Sequence, residues 1–283
     1  MADTDKWDSE ISAEDGSLGI NLAEIWRYRD LMFLFVKRDV VTIYKQTILG
    51  PIWLFLQPLF TTLTFNLVFN KIAKIPTESV PPLLFYMSGI TLWTYFSDCL
   101  SKTANTFTAN ASVFGKVYFP RLIAPISIVI SNLIKFGIQF LLFIATTIFM
   151  VVYSGAQIQM NATILLFPFL ILEMAILGLG LGLIFSSLTT KYRDLVFLLQ
   201  FSIQLLMYAT PVIYPLSYTE GKLRQFLELN PLTSIIETFR YCFFSVGDLN
   251  WAGLVYSGTF SVVILLLGIF IFNKVEKNFM DTV

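Results

Sequence analysis

The chain is 283 residues long, 56% hydrophobic and only 13% charged, with a mean hydropathy of +0.72. Soluble domains carry roughly a quarter charged residues, so this sequence has too little polar material to cover a soluble core and reads as a polytopic membrane protein. Nineteen basic and nineteen acidic residues cancel, which speaks against an electrostatic nucleic-acid binder.

Histidine is absent, which removes HExxH zinc chemistry, His-ligated haem and His-dependent hydrolysis. Cys99 and Cys242 stand far apart in apolar contexts and suggest no disulfide framework. No GxxxxGK[ST] loop occurs, so the chain has no Walker route to ATP.

Residues 1–20 are acidic and lack the apolar core of a signal peptide; they are expected to form a mobile cytoplasmic tail. A helix is predicted over 21–48. Asn21 is an acceptable N-cap, with Glu24 three residues on. Leu22, Ile25, Trp26, Phe33, Val36, Val40 and Tyr44 fall on one face, while Glu24, Arg27, Asp30, Lys37, Arg38 and Lys45 largely fill the other. That pattern fits a helix lying in the membrane interface, or one packed on a protein surface.

A transmembrane domain follows over 49–273. Six runs are long enough to cross about 30 Å of hydrocarbon: 51–70, 83–101, 123–152, 163–187, 195–214 and 252–272. In the first, eleven Leu, Ile, Phe and Val residues lie between Ile52 and Phe69. They supply roughly −3 to −7 kcal/mol toward insertion before polar residues are subtracted. The third run exceeds one crossing, which implies a tilted helix or a short in-plane piece turning at Pro125. With both termini cytoplasmic, inside segments carry thirteen Lys and Arg residues against five outside, the expected asymmetry. The segment 274–283 is then a cytoplasmic tail.

Between the fifth and sixth runs, 216–247 contains two short helical patterns separated by Asn230-Pro231. Asn caps and Pro suits the first helical position, so a helix should begin there, with Gly247 placed to end it. Neither pattern spans a bilayer. Two re-entrant half-helices on the external side are predicted, with their ends buried in protein or lining a wet cavity.

Some polar residues sit inside the spans. Gln57, Thr61 and Thr64 form one stripe, and Gln200, Gln204 and Tyr208 form another at spacing four. Amides facing lipid would lack partners, so these faces should line a water-filled passage or bond between helices. Lys135 and Glu173 lie on neighbouring spans, but their depths differ by about two turns, which works against direct pairing. Gly178, Gly180 and Gly182 suit close helix packing.

Four segments, RDVVTIYKQTILGPIWLFLQPL (38–59), FGKVYFPRLIAPIS (114–127), YRDL (192–195) and NPLTSIIETFRY (230–241), resemble the membrane subunit of type-2 ABC exporters. The likeness is to the branch moving O-antigen, capsule or teichoic acid. It implies an all-α permease of six membrane helices that pairs with a second copy to form a channel, and two separate ATPase subunits that bind ATP and Mg. By the same resemblance, 109–121 is the coupling segment, with Phe114, Gly115, Tyr118, Phe119, Pro120 and Arg121 at its core. Arg27, Arg29, Lys37, Arg38 and Lys45 border the entrance and attract the diphosphate of a polyprenyl-linked glycan. Asn230, Pro231, Glu237 and Arg240 belong to a periplasmic gate, where Glu237 and Arg240 either pair usefully or form a trivial surface bridge.

Gly50-Pro51 separates the in-plane helix from the first span, and Gln57-Pro58 gives that span a polar kink. Trp53, Phe60 and Tyr95 are candidates for stacking on sugar rings inside the channel; anchoring at the lipid interface competes as a role. The expected role is therefore transport without chemistry: no catalytic residue, metal or cofactor in this chain, in the bacterial inner membrane. A type-2 permease for a drug or small lipophile is the alternative. A membrane glycosyltransferase is disfavoured by the sparse acidic residues near the cytoplasmic face.

Overall fold

The computed structural model describes residues 22–45, 50, 52–156, 158, 159 and 161–278. The acidic N-terminal tail, Asn21, Pro51 and Asp281 lie outside them. Among the described residues all regular secondary structure is helical, with no strand.

The predicted interfacial helix appears as α1 (Leu22–Arg27) and α2 (Arg29–Lys45), joined by a turn at Tyr28. Its apolar residues do not share one face, as the sequence had suggested. Phe35 and Val36 are buried, and Ile25, Tyr28, Leu31 and Met32 pack beside Phe35 on the protein itself; Trp26, Phe33 and Leu34 are exposed. One side of the helix docks on the bundle, and the other presents Trp26, Phe33 and Leu34 outward. Gly50 takes a φ of +44°, a left-handed turn that suits glycine, between α2 and the next helix.

α3 (Ile52–Phe65) runs through Pro58 and continues as a π-helix over Asn66–Ile72. α4 (Pro82–Thr103) starts on the Pro81-Pro82 pair. α5 (Thr106–Phe114) is short. α6 (Ile123–Ser154) is one continuous helix of 32 residues, so Pro125 does not mark an in-plane turn; it sits in the first turn, where its missing N–H costs nothing. α7 (Phe167–Lys191) follows a 3-10 turn at Ala162–Leu166. Then come α8 (Leu195–Tyr208), α9 (Gly221–Glu228), α10 (Pro231–Phe244) and α11 (Trp251–Asn278).

Four helical stretches among the described residues are long and apolar enough to cross a membrane: Ile52–Ile72, Ile123–Ser154, Ala162–Lys191 and Trp251–Glu276. α4 has 22 residues but is buried nearly everywhere and carries more polar side chains. α8 has 14 residues, about 21 Å at 1.5 Å each, and stops at Tyr208 rather than continuing to 214.

The close approach of α7 to its neighbours depends on the predicted glycines. A Cβ on Gly180 would lie 2.7 Å from Leu265 N on α11, and one on Gly268 would lie 2.5 Å from Gly180 O. A Cβ on Gly182 would meet Thr103 of α4 at 2.5 Å. Around this axis a core of Leu, Phe and Ile from α4, α6, α7 and α10 closes, including the stacked Phe140–Phe167 and Phe239–Phe243 pairs. A second core gathers Phe35, Phe107, Phe114, Phe119, Leu122 and Phe272 at the end where α5 and the last turns of α11 meet.

Candidate functional site

That second core is what shapes the predicted coupling segment. Phe107 stacks on Phe272 of α11 at 4.5 Å, and Phe114 and Phe119 meet edge to face or tilted within the cluster. Phe119 also touches Phe35 of α2 at 5.7 Å. Arg121 turns toward α11, donating to the Glu276 carbonyl at 2.9 Å and approaching its carboxylate at 3.7 Å. These three residues hold the segment down. Between them Gly115, Lys116, Val117 and Tyr118 project, with Tyr118 64% exposed. The structure therefore divides the six sequence-selected residues: Gly115 and Tyr118 stand at a surface, Phe114 and Phe119 are interior, and Pro120 and Arg121 are partly covered.

Of the basic residues on α1 and α2, Arg27, Arg29, Lys37 and Lys45 are exposed. Arg38 is engaged: it pairs with Asp39 at 2.8 Å, donates to Asn110 Oδ1 on α5 at 3.3 Å, and lies over the Phe35 ring. It ties the helix to the coupling segment.

The far end of the bundle holds the predicted gate residues, and here the structure goes beyond the sequence. Asn230 caps α10, accepting from Leu232 N at 3.1 Å, while its amide donates to Ala209 O and Thr210 Oγ1 at 2.9 and 2.8 Å. Arg240 donates to Pro211 O at 2.6 Å, Val212 O at 3.0 Å and Glu237 Oε1 at 3.1 Å, and its guanidinium lies 3.7 Å from the Phe85 ring centre. The last carbonyls of a helix have no partner within it. Where α8 breaks at 209–212, side chains of α10 supply the donors. The Glu237–Arg240 pair is thus no surface bridge, since the arginine is 3% exposed. α10 begins at Pro231 as expected. It ends at Phe244 with Ser245 left-handed at φ 54°, and Gly247 takes its positive φ two residues later.

The two polar stripes lie on exposed faces of the chain. Gln57 and Thr64 are exposed and Thr61 half-buried; they share one side of α3 with exposed Trp53 and Phe60, opposite buried Leu54, Pro58 and Thr62. Gln200, Gln204 and Tyr208 are exposed on α8, where Leu199 alone is buried. Tyr95 differs from the other aromatic candidates: it is 2% exposed, inside the bundle beside Phe136 rather than on an open face.

Lys135 finds a partner that sequence reasoning missed, Asp98 on α4 at 2.6 Å, and Lys102 donates to Asn132 Oδ1 at 2.8 Å. Glu173 is buried elsewhere, against α11, where a Cβ on Gly258 would stand 3.7 Å from its carboxylate. Asp98 and Lys135 are 37 apart in sequence, and the packing of α4 on α6 brings them together.

Fold and site together define a multi-pass helical membrane protein. Residues 30–244 match the ABC-2 type transporter family, and the chain belongs to it. It is 26% identical over 252 residues to an O-antigen export system permease protein, RfbA, of Klebsiella pneumoniae, covering 89% of this chain and 94% of that protein. It is 27% identical over 264 residues to RfbA of Myxococcus xanthus, covering 92% and 98%. The polysialic acid transport protein KpsM of Escherichia coli is 21% identical over 247 residues, covering 87% and 93%.

Proposed function

We propose that this chain is the permease subunit of an ATP-driven ABC exporter that moves a polyprenyl-diphosphate-linked polysaccharide across the bacterial inner membrane. Two copies form the channel and two ATPase subunits dock beneath. The observation that carries the reading is the Gly115–Tyr118 loop: polar and aromatic tips held out from a rigid aromatic base, beside the basic faces of α1 and α2. It is supported by the O-antigen and polysialic acid names of relatives that match nearly end to end.

In this reading both termini are cytoplasmic, and α4 and α8 complete a set of six membrane helices. α8 reaches only part-way and the 209–214 break carries the chain onward. α9 and α10 re-enter from the external side and close the passage there. Arg27, Arg29, Lys37 and Lys45 attract the diphosphate by long-range charge. Nucleotide-driven motion of the ATPases reaches the bundle through the loop and, by way of Arg38–Asn110 and Arg121–Glu276, moves α2 and α11 with it.

Two measurements test this. Purification of the tagged chain from its native membranes should recover an ATP-binding cassette subunit in equal amount. Deleting the chain's gene should abolish surface polysaccharide and leave lipid-linked glycan inside. Recovery of the chain alone, with surface glycan intact in the deletion strain, would sink the proposal; accumulation of a small lipophile instead would turn it toward drug transport.

A further inference from the structure

α4 is buried on nearly every side, by α3, α6, α7, α8 and α10. From Leu84 to Asn105, the positions that are not buried are Thr94, Ser97, Asp98, Ser101, Lys102 and Asn105. Every one is polar, and the spacing of three and four puts them on a single helix face. From Thr94 to Lys102 that face extends about 12 Å along α4, and Asn105 continues it just past the helix end. It starts at the end nearest the coupling loop and stops near mid-helix. Five residues further, Gly89 is covered: a Cβ there would lie 3.0 Å from Val212 O and 3.1 Å from Arg240 Nη2.

A lipid-facing stripe of this composition is untenable. Each charge at bilayer depth costs about 2.5–3.5 kcal/mol, so such residues face a bundle interior or water. The Asp98–Lys135 pair is not sealed in the protomer either, since its side chains remain 23% and 14% exposed. Beside it, Asn132 is 2% exposed, takes Lys102 on Oδ1 and has no oxygen or nitrogen partner for Nδ2. Along the same helix Gln139 is 1% exposed with an unpartnered Oε1. Asn132, bonded to Lys102 of this face, thus keeps spare hydrogen-bonding capacity, and so does Gln139 two turns further along α6.

We propose that the Thr94–Asn105 face of α4, with Lys135 of α6, is a hydrated track that hydrogen-bonds the carbohydrate part of the cargo on its way to the gate. The inference rests on the exporter reading above and names the part of the cargo held there. Sugar hydroxyls each donate and accept, so they match a surface that mixes hydroxyl, amide, carboxylate and ammonium groups. A diphosphate would call for cations without Asp98 beside them. A lipophile would call for an apolar wall.

The test uses the full transporter in native membranes. Ser97→Cys and Ser101→Cys are labelled with a membrane-impermeant anionic methanethiosulfonate, with Leu133→Cys, 43% exposed on α6, for comparison. The track requires labelling at least tenfold faster at 97 and 101 than at 133; equal or slower labelling overturns it. Because single cysteines suffice, this arm decides the point even if a bulkier variant fails to assemble. In the second arm, Ser97→Leu with Ser101→Leu lowers surface glycan at least tenfold while the ATPase still co-purifies, and Ser97→Thr with Ser101→Thr retains it. Fast labelling with undiminished export in the leucine pair overturns the carbohydrate contact. A gene-deletion strain that keeps its surface glycan sinks the exporter reading instead, and the carbohydrate role with it.

Discussion

Two arginines, one at each end of the bundle, hold broken chain to helix in opposite ways. Arg121 sits at the rim, 15% exposed, with one carbonyl and one carboxylate of Glu276 near the end of α11. Arg240 is interior, bonded to two carbonyls of the α8 break and one carboxylate, with its plane against Phe85. Water can replace the first set of bonds, whereas of the second only the Glu237 carboxylate, 16% exposed, is within its reach. A rim contact of this kind can be made and released as a partner pushes on it, whereas the inner one acts as a fixed joint between α4, α10 and the 209–212 break.

The contrast is broken most severely at Arg240. Arg240→Met leaves Glu237 charged and two buried carbonyls without donors, which should cost roughly 3–5 kcal/mol. Thermal unfolding of the purified protein in detergent would show it as a large fall in midpoint. Arg240→Lys should recover only a fraction, because a point-like ammonium cannot serve Pro211, Val212 and Glu237 while stacking on Phe85. A midpoint unchanged in Arg240→Met would mean that Arg240 does not join these elements.

Next in size comes Gly180→Ala. Its Cβ would fall 2.7 Å from backbone of α11, so the α7–α11 pair must part; overpacking of this kind costs about 1–3 kcal/mol, read by the same melt. Asn230→Ala follows at about 1–2 kcal/mol, since it removes an N-cap and the donor to Ala209 O together. A double variant with Arg240→Met should fall short of additivity, because both side chains serve the same break. Additive losses would mean that the two ends of α10 act independently.

How much of this was readable beforehand depends on whether the signal was local. The start of α10 was, because Asn-Pro acts within a single turn, and so was the glycine row of α7, because small residues at regular spacing say that something approaches closely. The joint at Arg240 was half readable. Glu237 and Arg240 at i and i+3 gave the pair, but its burial is set by Phe85 and the 209–212 break, which are distant in sequence.

The α4 face was missed for the same reason. Thr94, Ser97 and Ser101 in an apolar run look like ordinary membrane-helix residues until the rest of the helix is seen to be covered. Aromatic residues misled in the opposite direction. Phe119 and Tyr118 are adjacent in a loop with no period to sort them, and only the Phe35 and Phe114 rings show which one turns inward.

That sorting sharpens the comparison at its small-effect end. Phe119→Ala empties a buried site and should cost about 3–5 kcal/mol, so a loss of transport there would say little about coupling. Arg121→Gln should cost only about 1–2 kcal/mol, because its partners stay within reach of water. Tyr118→Ala should change the unfolding midpoint by less than about 0.5 kcal/mol equivalent, the usual range for an exposed position. The same variant should nonetheless reduce the dependence of ATP hydrolysis on glycan, measured with the ATPase subunits in reconstituted vesicles. Stability and coupling then separate between neighbouring aromatics, one inside and one out. If Tyr118→Ala hydrolysed and exported like the parent, the projecting loop would be an ordinary turn, and the contact with the ATPase would have to be sought on Tyr192 and the basic end of α7.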